Sequence, residues 1–244
     1  MPTQGQAAQA PSDPRREAFA QGERSVYLGP MLSPARTLRY LRTWLAGSDG
    51  VEAREITLER DDALVEATCH LPRRGPSPLG AWVVLHGLTR TGRRHPQLER
   101  FARALASTGS AVIVPEVPEW QALHLAPEAT RPTVEAALAW LDQVPRLRAG
   151  LRGLVGFSFG APQAITASGH PALRDRLAGV VAFGGYCDLE RTVRFQLTGE
   201  HEWEGSTRWH RPDPYGRWIV AGNHLTGIPA YRDYGDVARA LLEL

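Results

Sequence analysis

The stretch Leu151-Arg-Gly-Leu-Val-Gly-Phe-Ser-Phe-Gly160 constrains the fold of this 244-residue chain more than any other. It begins as a short apolar run, ends in the pattern Gly-x-Ser-x-Gly, and is followed by residues that open a predicted helix. In this pattern a serine occupies a sharp turn between a buried strand and a helix, so that its hydroxyl projects from the backbone. The flanking glycines let the strand and the helix pass close together. Ser158 is therefore the first candidate for a reactive residue.

Apolar runs and helical stripes alternate on both sides of this turn. Apolar runs predict strands at 81–85, 111–114, 154–157 and 177–183, and the continuous run at 81–85 is typical of a strand that is covered on both faces. Between them, apolar residues recur at helical spacing, as in Leu98, Phe101, Ala102, Leu105 and in Val134, Ala137, Leu138, Leu141. Such repeated β-α-β units predict a parallel sheet with right-handed crossovers and helices on both faces.

The chain before this alternation predicts one helix and one antiparallel hairpin. Ser33 and Pro34 are typical of an N-cap and a first helical residue, and leucines follow at helical spacing as far as Leu45. From Val51 the apolar period changes to two, and the alternation resumes after the acidic pair Asp61-Asp62. Two half-exposed strands joined by a tight acidic turn are therefore expected.

A second turn motif follows the predicted strand at 81–85. The residues Val83-Val-Leu-His-Gly87 end this strand in a glycine, and Leu88 comes next. A glycine at such a position lets the backbone approach a reacting group closely. Two turn motifs in this order, each directly after a buried strand, are far more specific than either one alone.

With these motifs, the antiparallel strand pair and the strand–helix rhythm, the chain resembles the α/β-hydrolase family from Val51 to Asp188. The resemblance implies an α/β fold with a mostly parallel sheet, an antiparallel N-terminal hairpin, helices on both faces and a C-terminal helical cap. It also implies that Ser158 is the nucleophile and that the backbone N–H groups of Leu88 and Phe159 bind the oxyanion. This chemistry needs no metal and no organic cofactor.

The resemblance further implies a histidine that takes the serine proton and a carboxylate that orients it, in the order Ser, Asp or Glu, His. No two apolar strands that would carry them follow the last predicted strand. Either the chain lacks those strands, or other residues have been recruited. Asp188 is then the candidate acid, although it also fits a helix N-cap, and His210 and His224, together with His201, are the candidate bases. His86 precedes Ser158 and is interpreted as a structural brace of the oxyanion loop.

The composition indicates an ordinary globular protein that binds no nucleic acid. Hydrophobic residues make up 43% and charged residues 22% of the chain, and the formal net charge is only +2. Two distant cysteines, Cys69 and Cys187, argue against a disulfide framework or a zinc site. No apolar run is long enough for a transmembrane helix, and no signal peptide is visible, so a cytoplasmic location is expected.

Three segments are predicted from these observations. Residues 1–22 form a disordered tail, residues 23–187 form an incomplete α/β-hydrolase core, and residues 188–244 form a helical cap segment.

Two hypotheses for function stay open. The first is a serine hydrolase that acts on a small-molecule carboxylic ester or a related acyl substrate. The second is a catalytically incompetent or truncated hydrolase-like domain that binds a ligand or a partner. If the sheet ends at the strand 177–183, its unpaired apolar edge favours self-association.

Overall fold

A mixed six-stranded sheet forms the centre of the computed structural model, which describes residues 34–47, 50–61, 63–73, 80–145, 147 and 150–244. The strand order is β1-β2-β4-β3-β5-β6. The strands are β1 (Val51–Arg60), β2 (Ala63–Pro72), β3 (Gly80–Leu85), β4 (Ala111–Pro115), β5 (Leu151–Phe157) and β6 (Gly179–Phe183). The β1–β2 and β2–β4 pairs are antiparallel, whereas β4, β3, β5 and β6 run parallel.

Helices connect these strands and also form most of the C-terminal segment. The α-helices are α1 (Pro34–Ala46), α2 (Pro96–Ser107), α3 (Pro118–Gln121), α4 (Thr130–Gln143), α5 (Gly160–Gly169), α6 (Pro171–Arg174), α7 (Leu189–Thr198), α8 (Pro214–His224) and α9 (Gly235–Glu243). Short 3-10 turns occur at Gly92–Arg94, Pro127–Ala129, Leu225–Gly227 and Pro229–Tyr231.

The predicted α/β architecture is confirmed. The hairpin expected from the alternation after Val51 is the β1–β2 pair, whose register runs from Val51 opposite Pro72 to Arg60 opposite Ala63. The stripe ending at Leu45 lies on α1. The predicted tail at 1–22, the N-cap Ser33 and Asp62 lie outside the described residues.

Two apolar layers cover the two faces of the sheet. On one face, α2 packs Leu98, Ala102 and Ala106 against alternate residues of β3, β4 and β5. On the other face, α4 and α5 pack against the remaining alternate residues, with fully buried Leu138 and Leu154 at the centre. Because β3, β5 and β6 are parallel, their carboxyl ends meet at one edge, and this edge carries both turn motifs.

The C-terminal segment contains an antiparallel hairpin that the prediction of a helical cap missed. Its strands are β7 (Glu200–Trp203) and β8 (Ser206–Trp209). The two-residue turn, Glu204 and Gly205, has φ values of 50° and 74°. Such a turn matches the twist of a hairpin, but its first residue is usually Asn or Asp. Because Glu204 occupies this position, the sequence contained no clear signal for the hairpin.

Among the described residues, β6 pairs with a strand on one side only, namely β5. Its side chains Val181 and Phe183 are 36% and 46% exposed. The open apolar edge expected from the sequence is therefore present in the described part of the chain.

Candidate active site around Ser158

Ser158 stands on a strained turn between β5 and α5. Its φ of 51° lies in the left-handed region, which residues with a side chain rarely adopt. Two backbone hydrogen bonds hold the turn: Ser158 N–H donates to Phe183 O over 2.8 Å, and Ala161 N–H donates to Ser158 O over 3.0 Å. The serine is exposed, so its hydroxyl is accessible from solvent.

Two glycines lie where the backbone approaches the serine turn closely. A Cβ on Gly156 would lie 2.1 Å from Gly160 O, so a side chain there would push β5 away from α5. A Cβ on Gly87 would lie 3.0 Å from Ser158 Cβ and 3.5 Å from Ser158 Oγ. The second turn motif therefore lies directly against the serine.

The geometry next to Ser158 suits an oxyanion site. His86 Nδ1 lies 2.6 Å from Gly87 O, which fixes the carbonyl side of the Gly87–Leu88 peptide. Carbonyl and N–H point in opposite directions across a trans peptide, so Leu88 N–H points away from His86. Phe159 is the N-cap of α5, where backbone N–H groups have no partner within the helix. Both predicted donors thus flank Ser158.

Two cavities meet at Ser158. The smaller, about 300 Å³, is mostly apolar and is lined among others by Trp44, Leu98, Phe101 and Phe157. The larger, about 540 Å³, lies between the sheet edge and the C-terminal segment, and its lining includes Tyr186, Gln196, Tyr215 and His224. Leu88 and Ser158 line both cavities, so a ligand held at the serine can extend in two directions.

The candidate bases lie in different places. His224, the last residue of α8, lines the larger cavity together with Ser158. His210 and His201 line a separate cavity with Phe195. His86 is 1% exposed and lies behind the oxyanion loop. Of the three candidate bases, only His224 lines a cavity together with Ser158, whereas His86, which is not a candidate base, lines the smaller cavity.

The candidate acid Asp188 caps α7, because its side chain accepts a hydrogen bond from Arg191 N–H over 3.0 Å. This is the cap that the sequence also allowed. In the described part of the chain, no hydrogen bond joins Asp188 to a histidine, and none joins Ser158 Oγ to an imidazole.

Sequence reasoning missed the residues through which the C-terminal segment contacts the oxyanion loop. Tyr215 Oη donates to Leu88 O over 3.1 Å. Burial raises the pKa of the Tyr215 phenol, with a partly offsetting effect of Arg90, so the donor stays protonated at neutral pH. Arg90 in turn donates to Leu242 O. No local pattern in the sequence pairs residues so far apart along the chain.

The described residues contain no cluster of His, Cys, Asp and Glu that could hold a metal ion. Cys69 is buried, Cys187 is exposed, and the two do not form a disulfide with each other. None of the helices described is long and apolar enough to cross a bilayer.

Comparison with known proteins shows the fold. No family model and no curated protein matches the chain. Among solved structures, a dienelactone hydrolase from Anabaena variabilis is 18% identical, with a TM-score of 0.50 over 59% of this chain and 68% of its own. A hypothetical protein from Pseudomonas aeruginosa is 17% identical, with a TM-score of 0.51 over 78% of this chain and 56% of its own. The chain has the α/β-hydrolase fold and spans about half to two thirds of the length of these proteins.

Proposed function

We propose that the chain is a serine hydrolase of small carboxylic esters or related acyl compounds. The observation that carries the proposal is Ser158 on a strained strand–helix turn, with Gly87 and Leu88 packed against it and a cavity on each side. A dienelactone hydrolase has the same fold, which is consistent with an ester substrate.

In the proposed reaction, Ser158 Oγ attacks the ester carbonyl carbon, and its proton passes to His224. The N–H groups of Leu88 and Phe159 donate hydrogen bonds to the oxygen that becomes negative. The bond to the leaving oxygen then breaks, that oxygen takes the proton from His224, and the acyl group remains on Ser158. Water hydrolyses the acyl-enzyme by the same steps in reverse.

On this proposal, residues 188–244 act as a cap that closes the larger cavity. The cavity residues Tyr186, Gln196 and Tyr215 supply hydrogen-bonding groups, whereas the smaller cavity is aromatic and aliphatic. A cytoplasmic location and the lack of nucleic-acid partners stay predictions.

The test is hydrolysis of p-nitrophenyl acetate and p-nitrophenyl butyrate by the full chain. Ser158→Ala should abolish the hydrolysis above background, and His224→Ala should lower kcat by about a hundredfold or more, because general base catalysis contributes about that much. His210→Ala is the matched control, since His210 lines another cavity, and it should leave kcat unchanged. Equal rates for wild type and Ser158→Ala would refute the proposal.

A second candidate function is ligand binding without turnover. It is favoured by the absence, within the described residues, of a hydrogen bond between Ser158 Oγ and an imidazole. In this case the protein would bind butyrate or a butyrate ester, which calorimetry can measure. Ser158→Ala would then neither weaken this binding nor change the rate at which the ester is hydrolysed.

A further inference from the structure

The larger cavity beside Ser158 is mostly apolar and contains two phenol groups. Its walls include Leu125 and Ile219, and its volume is about 540 Å³. Tyr186 and Tyr215 bring hydroxyl groups to this cavity. A few placed polar groups in an apolar pocket fix the orientation of a ligand. The hydrogen bonds that each hydroxyl already makes therefore show what it can still offer to a ligand.

The hydroxyl of Tyr215 has already used its proton. Tyr215 Oη donates to Leu88 O over 3.1 Å, and a phenol has a single proton to donate. Toward a ligand, Tyr215 therefore offers only the lone pairs of its oxygen.

The hydroxyl of Tyr186 is in the opposite state. Gln163 Nε2 donates to Tyr186 Oη over 3.1 Å, so this hydrogen bond uses a lone pair of the phenol oxygen and leaves the proton free. Among the described residues, no group accepts that proton. Burial raises the pKa of the Tyr186 phenol, with a smaller opposite effect of the Gln163 hydrogen bond, so the proton stays on the oxygen at neutral pH.

Contacts with α5 and with the core hold Tyr186 in place. The backbone just before it packs closely on the start of α5, because a Cβ on Gly185 would lie 2.7 Å from Ala161 Cβ. Tyr186 itself packs against the buried core, and buried Gln163 on α5 holds its hydroxyl. The free donor is therefore pre-organised, so that little conformational entropy is lost when a ligand accepts its hydrogen bond.

The leaving group of the substrate belongs in this larger cavity. In the proposed reaction His224 gives its proton to the leaving oxygen, and His224 lines the larger cavity. A general acid has to lie within hydrogen-bond reach of the atom that it protonates. The alcohol part of an ester therefore extends into the larger cavity, where Tyr186 lies.

We propose that Tyr186 Oη donates a hydrogen bond to an oxygen on the alcohol part of the substrate, and so selects esters whose alcohol carries an ether, hydroxyl or carbonyl oxygen. This inference rests on the proposed function, because it assigns a specificity-determining contact within the same site. A site built around an oriented donor discriminates against a substrate without the acceptor, because the donor is then left unpaired.

The test compares hexyl butyrate with isosteres in which an ether oxygen replaces one CH₂ of the hexyl chain, or a hydroxyl its terminal CH₃, at successive positions. All these esters have the same number of non-hydrogen atoms. The ratio of kcat/KM for an isostere to kcat/KM for hexyl butyrate is measured with the full chain and with Tyr186→Phe, which removes only the hydroxyl. At the chain position that meets Tyr186, this ratio should be about three- to tenfold higher in wild type, because one neutral hydrogen bond contributes about that factor.

The difference should lie in KM, since a hydrogen bond remote from the reacting carbonyl stabilises the bound substrate and the transition state alike. Tyr234→Phe is the matched control. It removes a phenol of the same C-terminal segment, where the ring of Tyr234 lies 5.8 Å from that of Tyr231, and it should keep every ratio as in wild type. Ratios that are equal in wild type and Tyr186→Phe at all positions, or that change equally in both variants, would overturn the inference.

A second measurement decides the inference even if the wild type hydrolyses no ester, an outcome that would refute the proposed function alone. In Ser158→Ala the esters bind without turnover, and NMR follows the carbon-13 resonance of Tyr186 Cζ. This resonance should move further when the best-bound isostere is added than when hexyl butyrate is added, because only the isostere accepts the phenol proton. Equal shifts with both ligands, or no shift with either, would show that Tyr186 does not make this contact.

Discussion

The backbone of Ser158 stores strain that the surrounding contacts maintain. A residue with a side chain at φ 51° costs about 1 to 3 kcal/mol, and such strain persists only where the fold over-determines it. Here the hydrogen bonds to Phe183 O and from Ala161 N–H fix both sides of the serine. This conformation could be predicted from the Gly-x-Ser-x-Gly pattern, because the motif encodes a local turn.

His70 couples the stability of the sheet to pH. It lies on β2, is 1% exposed, and its Nδ1 has no hydrogen-bond partner among the described residues. Burial, with a smaller effect of Arg103, lowers its pKa from 6.5 to about 4. The unfolded chain therefore binds a proton between these pH values while the folded chain does not, so stability is lost as pH falls from about 6.5 to about 4.

As pH falls, His70 should lower the free energy of unfolding by about 3 kcal/mol, since each pKa unit corresponds to about 1.4 kcal/mol. Urea unfolding at pH 7 and at pH 4.5 measures it. In His70→Leu, which has no titratable group at this position, the free energy of unfolding should differ less between pH 7 and pH 4.5, by about 2 to 3 kcal/mol. An unchanged difference would show that another group causes the pH dependence.

At the scale of elements, Asn223 is one of the residues that attach α8 to the core. Its Oδ1 accepts from Leu125 N–H, and its Nδ2 donates to Leu123 O and Ile219 O, each over 2.9 Å. Leu123 has a φ of 64°, so Asn223 also holds a strained turn. This contact places the helix that carries Tyr215 and His224 over the larger cavity.

Asn223→Ala should lower the free energy of unfolding by about 1 to 3 kcal/mol, because the half-buried Leu125 N–H and the carbonyl of buried Leu123 lose their partners. Amide hydrogen exchange in 214–224 should accelerate more than exchange in β3 and β5. Gln121→Ala is the control, since the Gln121 side chain makes no hydrogen bond with the described residues. If both variants accelerated amide hydrogen exchange in α8 equally, this role of Asn223 would be contradicted.

Elements with a regular apolar period could be predicted from the sequence, whereas contacts between distant elements could not. The alternation after Val51 predicted the β1–β2 hairpin, and the apolar run at 111–114 predicted β4. The hydrogen bond between Gln163 and Tyr186 gave no such signal, because periodicity reports which face a residue occupies but not which distant residue it meets. His224 lines the same cavity as Ser158 because α8 packs against the core, in part through Asn223, which is likewise a long-range contact.

For the whole molecule, the open edge of β6 predicts self-association. Edge strands of monomeric proteins usually carry charges or are covered, but β6 reads Gly-Val-Val-Ala-Phe, without a charge. Val181 and Phe183 expose apolar surface on the α2 side of the same strand. We expect light scattering to give a mass above 26.8 kDa that rises with concentration.

Val181→Lys should shift the protein toward the monomer mass, because a charge at the edge opposes strand pairing. Leu64→Lys is the matched control: Leu64 is 73% exposed on β2, remote from β6, and its replacement should leave the mass unchanged. A wild-type protein that stays at the monomer mass at all concentrations would refute the prediction.

We infer that Ser158 is an activated nucleophile in the folded protein. Peptide mapping by mass spectrometry after treatment with a fluorophosphonate tests this claim most directly, with urea-unfolded protein and Ser158→Ala as controls. We expect one phosphonyl adduct, on Ser158, in the folded wild type and none in either control. Folded protein without an adduct, or with adducts spread over other serines, would contradict it.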